Sequence, residues 1–329
     1  MAKMKLIIII VVLLVISFCR DLLKLSVDQT AKNSPIIISC SRWPGFMPLV
    51  IGVERGIFKK EGVDVEYRYS ENIRQSMLDF AADKYDGGCF KLGTVISGCA
   101  LDRDMKIVLI TDFSNGADAI VSAREIKDFK ELKGKRVAFR FGSYAEVAVD
   151  LLFKNKKMKP SDSVIMNWAD ETSACELLKK GLVDALFIRE PYVSELTGQG
   201  YNILASSAEI PNLVPEVVAF RNRTAYTRPE DIKKFIKGWF AACEFLKNKP
   251  SESAEILSEH LNLPPSDLSL KSIDLLDHSG NFKAFDKSNA DNSLYRCARL
   301  YAEYFLKTGI LKEPLDIDKL IVSEFIDIK

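Results

Sequence analysis

Residues 41–58 read SRWPGFMPLVIGVERGIF, and this stretch decides the fold of the chain. The β-branched run just before it, residues 36–38, is typical of a buried strand, and a Pro-Gly pair then turns the chain. From Pro48 apolar residues recur with helical spacing until Gly56, which favours a helix end. Residues 63–69 alternate apolar and polar side chains, as a second strand does. The pattern therefore predicts a βαβ unit of an α/β fold.

The loop that opens this helix is a candidate ligand site. The N–H groups of a first helical turn, together with the helix dipole, attract an anionic or strongly accepting ligand group. Arg42 can pair with a planar anion, and Trp43 can stack on an organic body. We take Arg42, Trp43, Gly45 and Phe46 as candidate ligand-binding residues. The competing interpretation is that the aromatic residues anchor the loop in the core and that Arg42 is a solvated charge.

Several phrases of the sequence resemble one family of transport proteins. WPGFMP at 43–48 and ERGIFKKEGVDV at 54–65 resemble the opening of substrate-binding proteins of the nitrate, sulfonate and taurine type of ABC importer. Thiamine-precursor binders and the related pyrimidine-synthase fold belong to the same group. SNGADAIV at 114–121, LKGKRVA at 132–138 and DALFIREP at 184–191 match later phrases of that family. Each phrase is weak alone, and their combination is specific.

The resemblance implies a type II periplasmic-binding-protein fold, with two α/β domains joined by two hinge crossovers. One lobe would comprise 35–114 plus 221–329, and 115–220 would form the second lobe. A small ligand would be captured between the lobes, and the closed form, a monomer, would dock on a membrane permease driven by an ATPase. The expected role is capture rather than catalysis, with no cofactor.

Further candidate residues on the first side of the cleft come from two segments. Thr94 opens a short helical stretch, where its hydroxyl could face the cleft or only cap the helix. Ser114 and Asn115 lie in the phrase that the resemblance places at the crossing between domains. Ser, Asn and Gly supply a bendable, hydrogen-bonding segment there, although an ordinary hairpin turn has the same composition.

The second side of the cleft is predicted from two more segments. Gly142, Ser143 and Tyr144 precede a helix through residue 155, and Ser143 with Glu146 has the spacing of a capping box. In the resemblance this second helix start holds the other end of the ligand, while a purely capping Ser143 fits equally well. Glu190 ends a strand before a proline and would either accept hydrogen bonds from a ligand amine or brace its neighbours.

The last third of the chain has a helical pattern. Residues 216–220 would return through the second hinge. A helix from Pro229 carries a stripe of aromatic residues that we interpret as core. Further helices are predicted at about 251–261, 292–308 and 316–328.

The N-terminus resembles an export signal. Two lysines within residues 1–5 precede an apolar run at 6–18, which is short for a membrane-spanning helix. Cys19 follows as a candidate lipidation site, although the bulky Phe18 departs from the small residue usual there. The alternative is an uncleaved anchor. Residues 1–34 would then be signal or anchor and tether, and the protein would lie outside the cytoplasm or in the periplasm, anchored to the membrane.

Composition excludes some classes of function. The chain has 46 basic and 45 acidic residues, a net charge of +1 and no basic tract, which argues against a nucleic-acid partner. Seven cysteines without a C-x-x-C pair and only two histidines disfavour a zinc site. We expect most of the six cysteines beyond Cys19 to be free and buried.

The sequence leaves the ligand and the partner open. Arg42 and the helix starts favour a small organic anion such as a sulfonate, taurine or nitrate, while the aromatic residues favour a pyrimidine-type heterocycle. An enzymatic role like that of the pyrimidine synthases would need a reactive histidine, but His260 and His278 lie far in sequence from the cleft motifs. A sensory role, with a receptor kinase as partner, is a third alternative.

Overall fold

The computed structural model describes residues 34–70, 72–168, 170–261, 270–288 and 293–327. Eleven strands are found within these ranges: β1 (Ile36–Cys40), β2 (Val65–Tyr69), β3 (Gly87–Lys91), β4 (Met105–Ser114), β5 (Asp118–Ser122), β6 (Arg136–Phe139), β7 (Val164–Asn167), β8 (Ala185–Arg189), β9 (Asn202–Ser206), β10 (Pro215–Arg221) and β11 (Ile273–Leu275). The helices are α1 (Met47–Glu54), α2 (Ile57–Lys60), α3 (Ile73–Ala81), α4 (Leu92–Gly98), α5 (Tyr144–Asn155), α6 (Glu171–Lys179), α7 (Tyr192–Gly198), α8 (Asn222–Thr227), α9 (Pro229–Asn248), α10 (Pro250–Leu261), α11 (His278–Ala284), α12 (Leu294–Lys307) and α13 (Ile317–Leu320).

The opening unit has the predicted form. β1 is followed by a 3-10 turn at Pro44–Phe46 and then by α1, which has Pro48 in its first turn. Gly56 adopts a left-handed conformation with φ of 63°, which glycine reaches without strain, and it ends the helical run. β2 returns parallel to β1, so the predicted βαβ unit is confirmed.

The strands form two sheets with the same internal plan. One sheet has the order β11-β4-β10-β3-β1-β2, and the other has the order β7-β6-β8-β5-β9. In each sheet one strand arrives from the other sheet and pairs antiparallel to its neighbours: β10 between β3 and β4, and β5 between β8 and β9. Each sheet therefore contains one strand that is supplied by the crossing chain.

The chain passes between the sheets twice. The first passage lies between Ser114 and Asp118, where the resemblance placed it, and the second lies between Ser206 and Pro215. Residues 216–220 do not form the second crossing, because they pair with β3 and β4 in the six-stranded sheet. We propose on this basis lobes of 35–114 plus 215–329 and 115–214.

Each sheet has its own apolar core. The larger core surrounds the six-stranded sheet and includes the predicted stripe of α9, whose Phe235 and Trp239 are fully buried. In the second sheet Ile120 and Val121 are neighbours on β5 and belong to different clusters. Since successive strand residues face opposite sides, both faces of that sheet are covered by apolar side chains.

The C-terminal helix is much shorter than predicted. Of the predicted helix at 316–328, only Ile317–Leu320 is α-helical, followed by a single 3-10 turn at Ser323–Phe325. Ile321 instead forms a parallel bridge with Ile107, and the N–H of Val322 donates to the Ile107 carbonyl. Pairing with β4 thus outweighs the helical pattern of the sequence.

The cysteine prediction is confirmed for the described residues. All six cysteines there are free; five are buried and Cys243 is half-buried. The predicted signal or anchor at 1–34, with Cys19, lies outside the described residues except for Ser34. Among the helices of the described ranges, none has both the length and the apolar character needed to cross a membrane.

Candidate functional site

A cleft of about 380 Å³ is bounded by loops that follow strands of both sheets. Its polar and aromatic lining on the side of the six-stranded sheet comprises Ser41, Trp43, Phe46, Arg74, Phe90, Lys91, Thr94, Ser97 and Glu216. On the side of the five-stranded sheet it comprises Arg140, Phe141, Gly142, Ser143, Tyr144, Trp168, Glu171 and Arg189. Both parts of the chain thus contribute charged and aromatic side chains to one concave site.

A buried lysine joins the two parts of the chain at this site. Lys91, at the end of β3, is only 7% exposed, and its ammonium lies 3.0 Å from an Asp118 carboxylate oxygen and 2.5 Å from one of Glu216. Asp118 is the first residue of β5, and Glu216 lies at the start of β10. Lys91 therefore bridges the two strands that begin immediately after the two crossings.

Two aromatic rings enclose the same ammonium. The Lys91 nitrogen lies 3.8 Å from the ring centroid of Trp43 and 4.8 Å from that of Tyr144, both within cation–π range. The Tyr144 hydroxyl donates to Asp118 at 2.6 Å. Trp43 and Tyr144, from opposite sides of the cleft, are thereby positioned by one buried charge.

The carboxyl groups around Lys91 are strongly perturbed. Burial and the nearby charge of Glu216 raise the pKa of Asp112 to about 8, although the indole N–H of Trp43 donates to this carboxyl at 3.1 Å. Burial also raises the pKa of Glu216 against the opposing effect of Lys91. Burial lowers the pKa of Lys91, but Asp118 and Glu216 together outweigh this effect and raise it. Lys91 consequently stays charged at neutral pH, while Asp112 is mostly protonated.

The wall formed by the second sheet contains an ion pair and a capped helix. The guanidinium of Arg189, at the end of β8, lies 3.3 Å from Glu171 in the first turn of α6. At the start of α5 the Ser143 hydroxyl oxygen accepts from the Ala145 N–H, and Glu146 accepts from the Gly142 N–H. The capping interaction exists, but each of its contacts is shifted by one residue from the standard box.

The structure brings six of the predicted site residues together. The cleft is lined by Trp43, Phe46, Thr94, Gly142, Ser143 and Tyr144. Thr94 is not the N-cap of α4, because Lys91 holds that position and Thr94 lies in the first turn. That these six residues bind the ligand stays a prediction.

The other five predicted residues do not line the cleft. Near the opening loop, the guanidinium of Arg42 lies over the ring of Tyr69 at 5.6 Å. Gly45 has no space for a side chain, since a Cβ there would stand 1.7 Å from a carboxylate oxygen of Asp112. Gly45 therefore permits close packing beneath Trp43.

The remaining three predicted residues have structural contacts. Ser114 and Asn115 form hydrogen bonds at the first crossing, and Glu190 forms hydrogen bonds with α7. The Ser114 hydroxyl bonds to that of Ser207 at 2.8 Å, and the Asn115 amide donates to Asp274 on β11. Glu190 accepts from the N–H and the hydroxyl of Ser194 in α7, so it braces a helix.

Sequence reasoning missed the charged centre of the site. Lys91 ends a strand that is otherwise uncharged, and Glu216 precedes the apolar run at 217–220, which is a signal that these charges are buried and paired. Nothing in the sequence shows that the two meet, since 125 positions separate them. Arg140, Trp168 and Glu171 were missed as well, and no local pattern distinguishes them from ordinary loop residues.

The cleft offers few groups suited to nucleophilic catalysis or to metal binding. Cys89 lines it, but burial raises the pKa of this thiol well above its ordinary value, whereas a nucleophilic cysteine needs a lowered pKa. Neither histidine lines the cleft: His260 is near Glu54, and His278 bonds to the Ile326 carbonyl. Within the described residues no cluster of three or more His, Cys, Asp and Glu side chains could hold a metal ion.

Comparison with known proteins defines the fold. The aliphatic sulfonate-binding protein SsuA of Escherichia coli superposes with a TM-score of 0.72 at 18% identity, over 88% of this chain and 93% of that one. The desulfurization enzyme DSZB superposes with a TM-score of 0.66 at 13% identity, over 89% of this chain and 98% of the enzyme. The architecture is that of a periplasmic binding protein, with two α/β sheets and a cleft.

Sequence comparison defines the family. The model of the NMT1/THI5-like family matches residues 43–253. A putative aliphatic sulfonates-binding protein of Bacillus subtilis is 24% identical over 286 residues, which cover 85% of this chain and 83% of the relative. The chain belongs to the NMT1/THI5-like family, as its opening motif predicts.

Proposed function

We propose that this protein is the extracytoplasmic solute-binding component of an ABC importer and that its cleft captures a small organic anion. The observation that carries the proposal is the cleft itself, where Trp43 and Lys91 from one sheet meet Tyr144 and Asp118 from the other. Contacts from both lobes stabilise a closed state more than an open one. The descriptions of the B. subtilis relative and of E. coli SsuA as aliphatic sulfonate-binding proteins support a sulfonate-like ligand.

The partners follow from the same proposal. The closed form would dock as a monomer on a permease with its ATPase. The N-terminal segment with Cys19 would anchor the protein to the membrane on the extracytoplasmic side. A sensory partner would use the same closed form. Desulfurization enzymes share the fold, but the protonated state of Cys89 favours capture over catalysis.

Tryptophan fluorescence tests the location of the site. Of the three tryptophans, Trp43 and Trp168 line the cleft, whereas Trp239 is fully buried in the core. Titration with methanesulfonate, taurine and nitrate should give a saturable change in the wild type and in the matched control Trp239→Phe. The double variant Trp43→Phe/Trp168→Phe should lose it. An unchanged response in the double variant would place the site elsewhere.

Native mass spectrometry of the freshly purified protein tests the class of ligand. A bound organic anion is the expected result, because tight ligands of binding proteins are retained on purification. A bound pyrimidine-type heterocycle would instead establish the alternative that the aromatic lining allows.

A further inference from the structure

Two arginine side chains line the cleft without forming an ion pair with a carboxylate of the described residues, although one of them, Arg140, is near enough to Asp170 to help lower the pKa of that carboxyl group. They are Arg74 in α3 and Arg140 in the loop between β6 and α5. The other basic residues of the lining, Lys91 and Arg189, form ion pairs with buried carboxylates. Arg74 and Arg140, one on each side of the cleft, are therefore the basic residues of the lining whose guanidinium groups are not held in an ion pair and can approach a ligand.

Large apolar side chains are exposed beside these arginines. Leu78, Leu101 and Phe141 line the cleft and are 38%, 60% and 46% exposed. They account for three of the ten large apolar side chains that are exposed on the described surface. An exposed apolar patch concentrated at a ligand cleft indicates a surface that the ligand covers.

The size of the cleft agrees with this patch. Its volume of about 380 Å³ lies within the range of cavities that hold multi-ring organic ligands. Nitrate or methanesulfonate, each with five or fewer heavy atoms, would leave most of that volume to water. A compact anion would also leave Leu78, Leu101 and Phe141 uncovered.

The loop that contains Arg140 is held rigidly. The Ser143 hydroxyl donates to the Arg140 carbonyl at 2.8 Å, and the Phe141 N–H donates to the side-chain oxygen of Asn167 at 2.9 Å. The guanidinium and the adjacent phenyl ring are thus presented together from one fixed segment. A guanidinium binds an oxyanion through two parallel hydrogen bonds, and a phenyl ring packs on an apolar body.

We propose that the ligand is an organic oxyanion with a bulky aromatic body. This proposal rests on the proposed function and specifies the ligand of the same cleft. The acid group pairs with Arg140, and Arg74 adds positive potential from the facing side. The aromatic body covers Phe141, Leu78 and Leu101.

Calorimetric titration of the full chain with naphthalene-2-sulfonate and methanesulfonate tests the proposal. The aromatic probe should bind at least about tenfold more tightly, because its rings remove the exposed apolar surface from water. Phe141→Ala should lower this preference by weakening the binding of naphthalene-2-sulfonate more than that of methanesulfonate. Its matched control is Phe282→Ala, since Phe282 is 58% exposed and does not line the cleft.

The contribution of charge is tested in the same titrations. Arg140→Gln should weaken binding of both sulfonates about tenfold, the usual effect of losing a hydrogen bond to a charged group. Arg68→Gln removes an arginine that pairs with Glu66 outside the cleft and should change neither. Thermal melting of each variant checks that the fold is retained.

The outcomes separate this inference from the proposed function. Methanesulfonate binding as tight as that of naphthalene-2-sulfonate, or an Arg140→Gln variant with wild-type affinity, would overturn the inference and leave anion capture standing. Failure of both sulfonates to bind would also overturn it. In that case a heterocycle found by native mass spectrometry would refute anion capture as well.

Discussion

Asp112 shows how burial sets the chemistry of single residues in this cleft. It is fully buried beneath Trp43, and its pKa of about 8 lies far above the ordinary value of 3.8. Between these two values the folded chain holds a proton that the unfolded chain has released. Because the unfolded state binds fewer protons in this window, the free energy of unfolding falls as the pH rises from about 4 to about 8.

Asp112→Asn should remove this part of the pH dependence. The amide cannot ionise, so urea unfolding of the variant at several pH values should give a flatter profile between about pH 4 and 8. Glu216, whose pKa burial also raises, keeps its own slope in the same direction. A variant whose profile matched that of the wild type would show that Asp112 does not hold a proton in the folded state.

Lys91 should be the most sensitive residue of the site. Lys91→Met leaves two buried carboxylates without their cation and should cost about 3–5 kcal/mol of unfolding free energy. The double variant Lys91→Met/Glu216→Gln should regain part of that loss. Lys84→Met removes an exposed ion pair with Asp79, which water screens, and should change the free energy of unfolding far less than Lys91→Met does. Denaturant unfolding measures all three, and equal effects for Lys84 and Lys91 would contradict the buried network.

At the scale of elements, the two crossings are joined by one buried serine. The Ser207 hydroxyl contacts that of Ser114 and accepts from the Gly116 N–H at 2.7 Å, which links the first crossing to the start of the second. Ser207 is fully buried. In the proposed two-lobed arrangement this link would couple the two hinge segments during closure.

Ser207→Ala should loosen both crossings. Loss of these buried hydrogen bonds should lower the unfolding free energy by about 1–2 kcal/mol, and amide hydrogen exchange at Gly116 should become faster. The adjacent Ser206 makes no side-chain capping bond, so Ser206→Ala is the matched control. Similar effects from the two variants would rule out the link through Ser207.

The sequence predicts elements well where the local pattern is strong. The β1–α1–β2 unit and α5 were predictable because their apolar periodicity and turn residues agree with the tertiary structure. The predicted helix at 316–328 failed because Ile321 pairs with Ile107, far away in sequence. The same holds for the residues of the site. Trp43 and Tyr144 were predictable because they belong to recognisable loops. The pairing of Lys91 with Asp118 and Glu216 was not, because it joins residues that are far apart in the sequence.

At the scale of the whole molecule, the two sheets share one strand plan, and each contains one strand that the chain supplies after crossing from the other sheet. These strands, β5 and β10, begin beside Lys91 with Asp118 and Glu216. The charged centre of the cleft therefore lies at the two crossings, which are the hinge of the proposed two-lobed arrangement. A ligand that contacts Trp43 and Tyr144 would bind next to this proposed hinge. Its contacts with both sides of the cleft would then shift the equilibrium between open and closed states towards the closed state.

A crystal structure of the protein with its co-purified ligand tests the central claim most directly. The account predicts that the ligand lies in the cleft and contacts Trp43 from one lobe and Tyr144 from the other. A ligand that touched only one lobe, or that lay on an outer surface away from Lys91, would contradict capture between the two lobes.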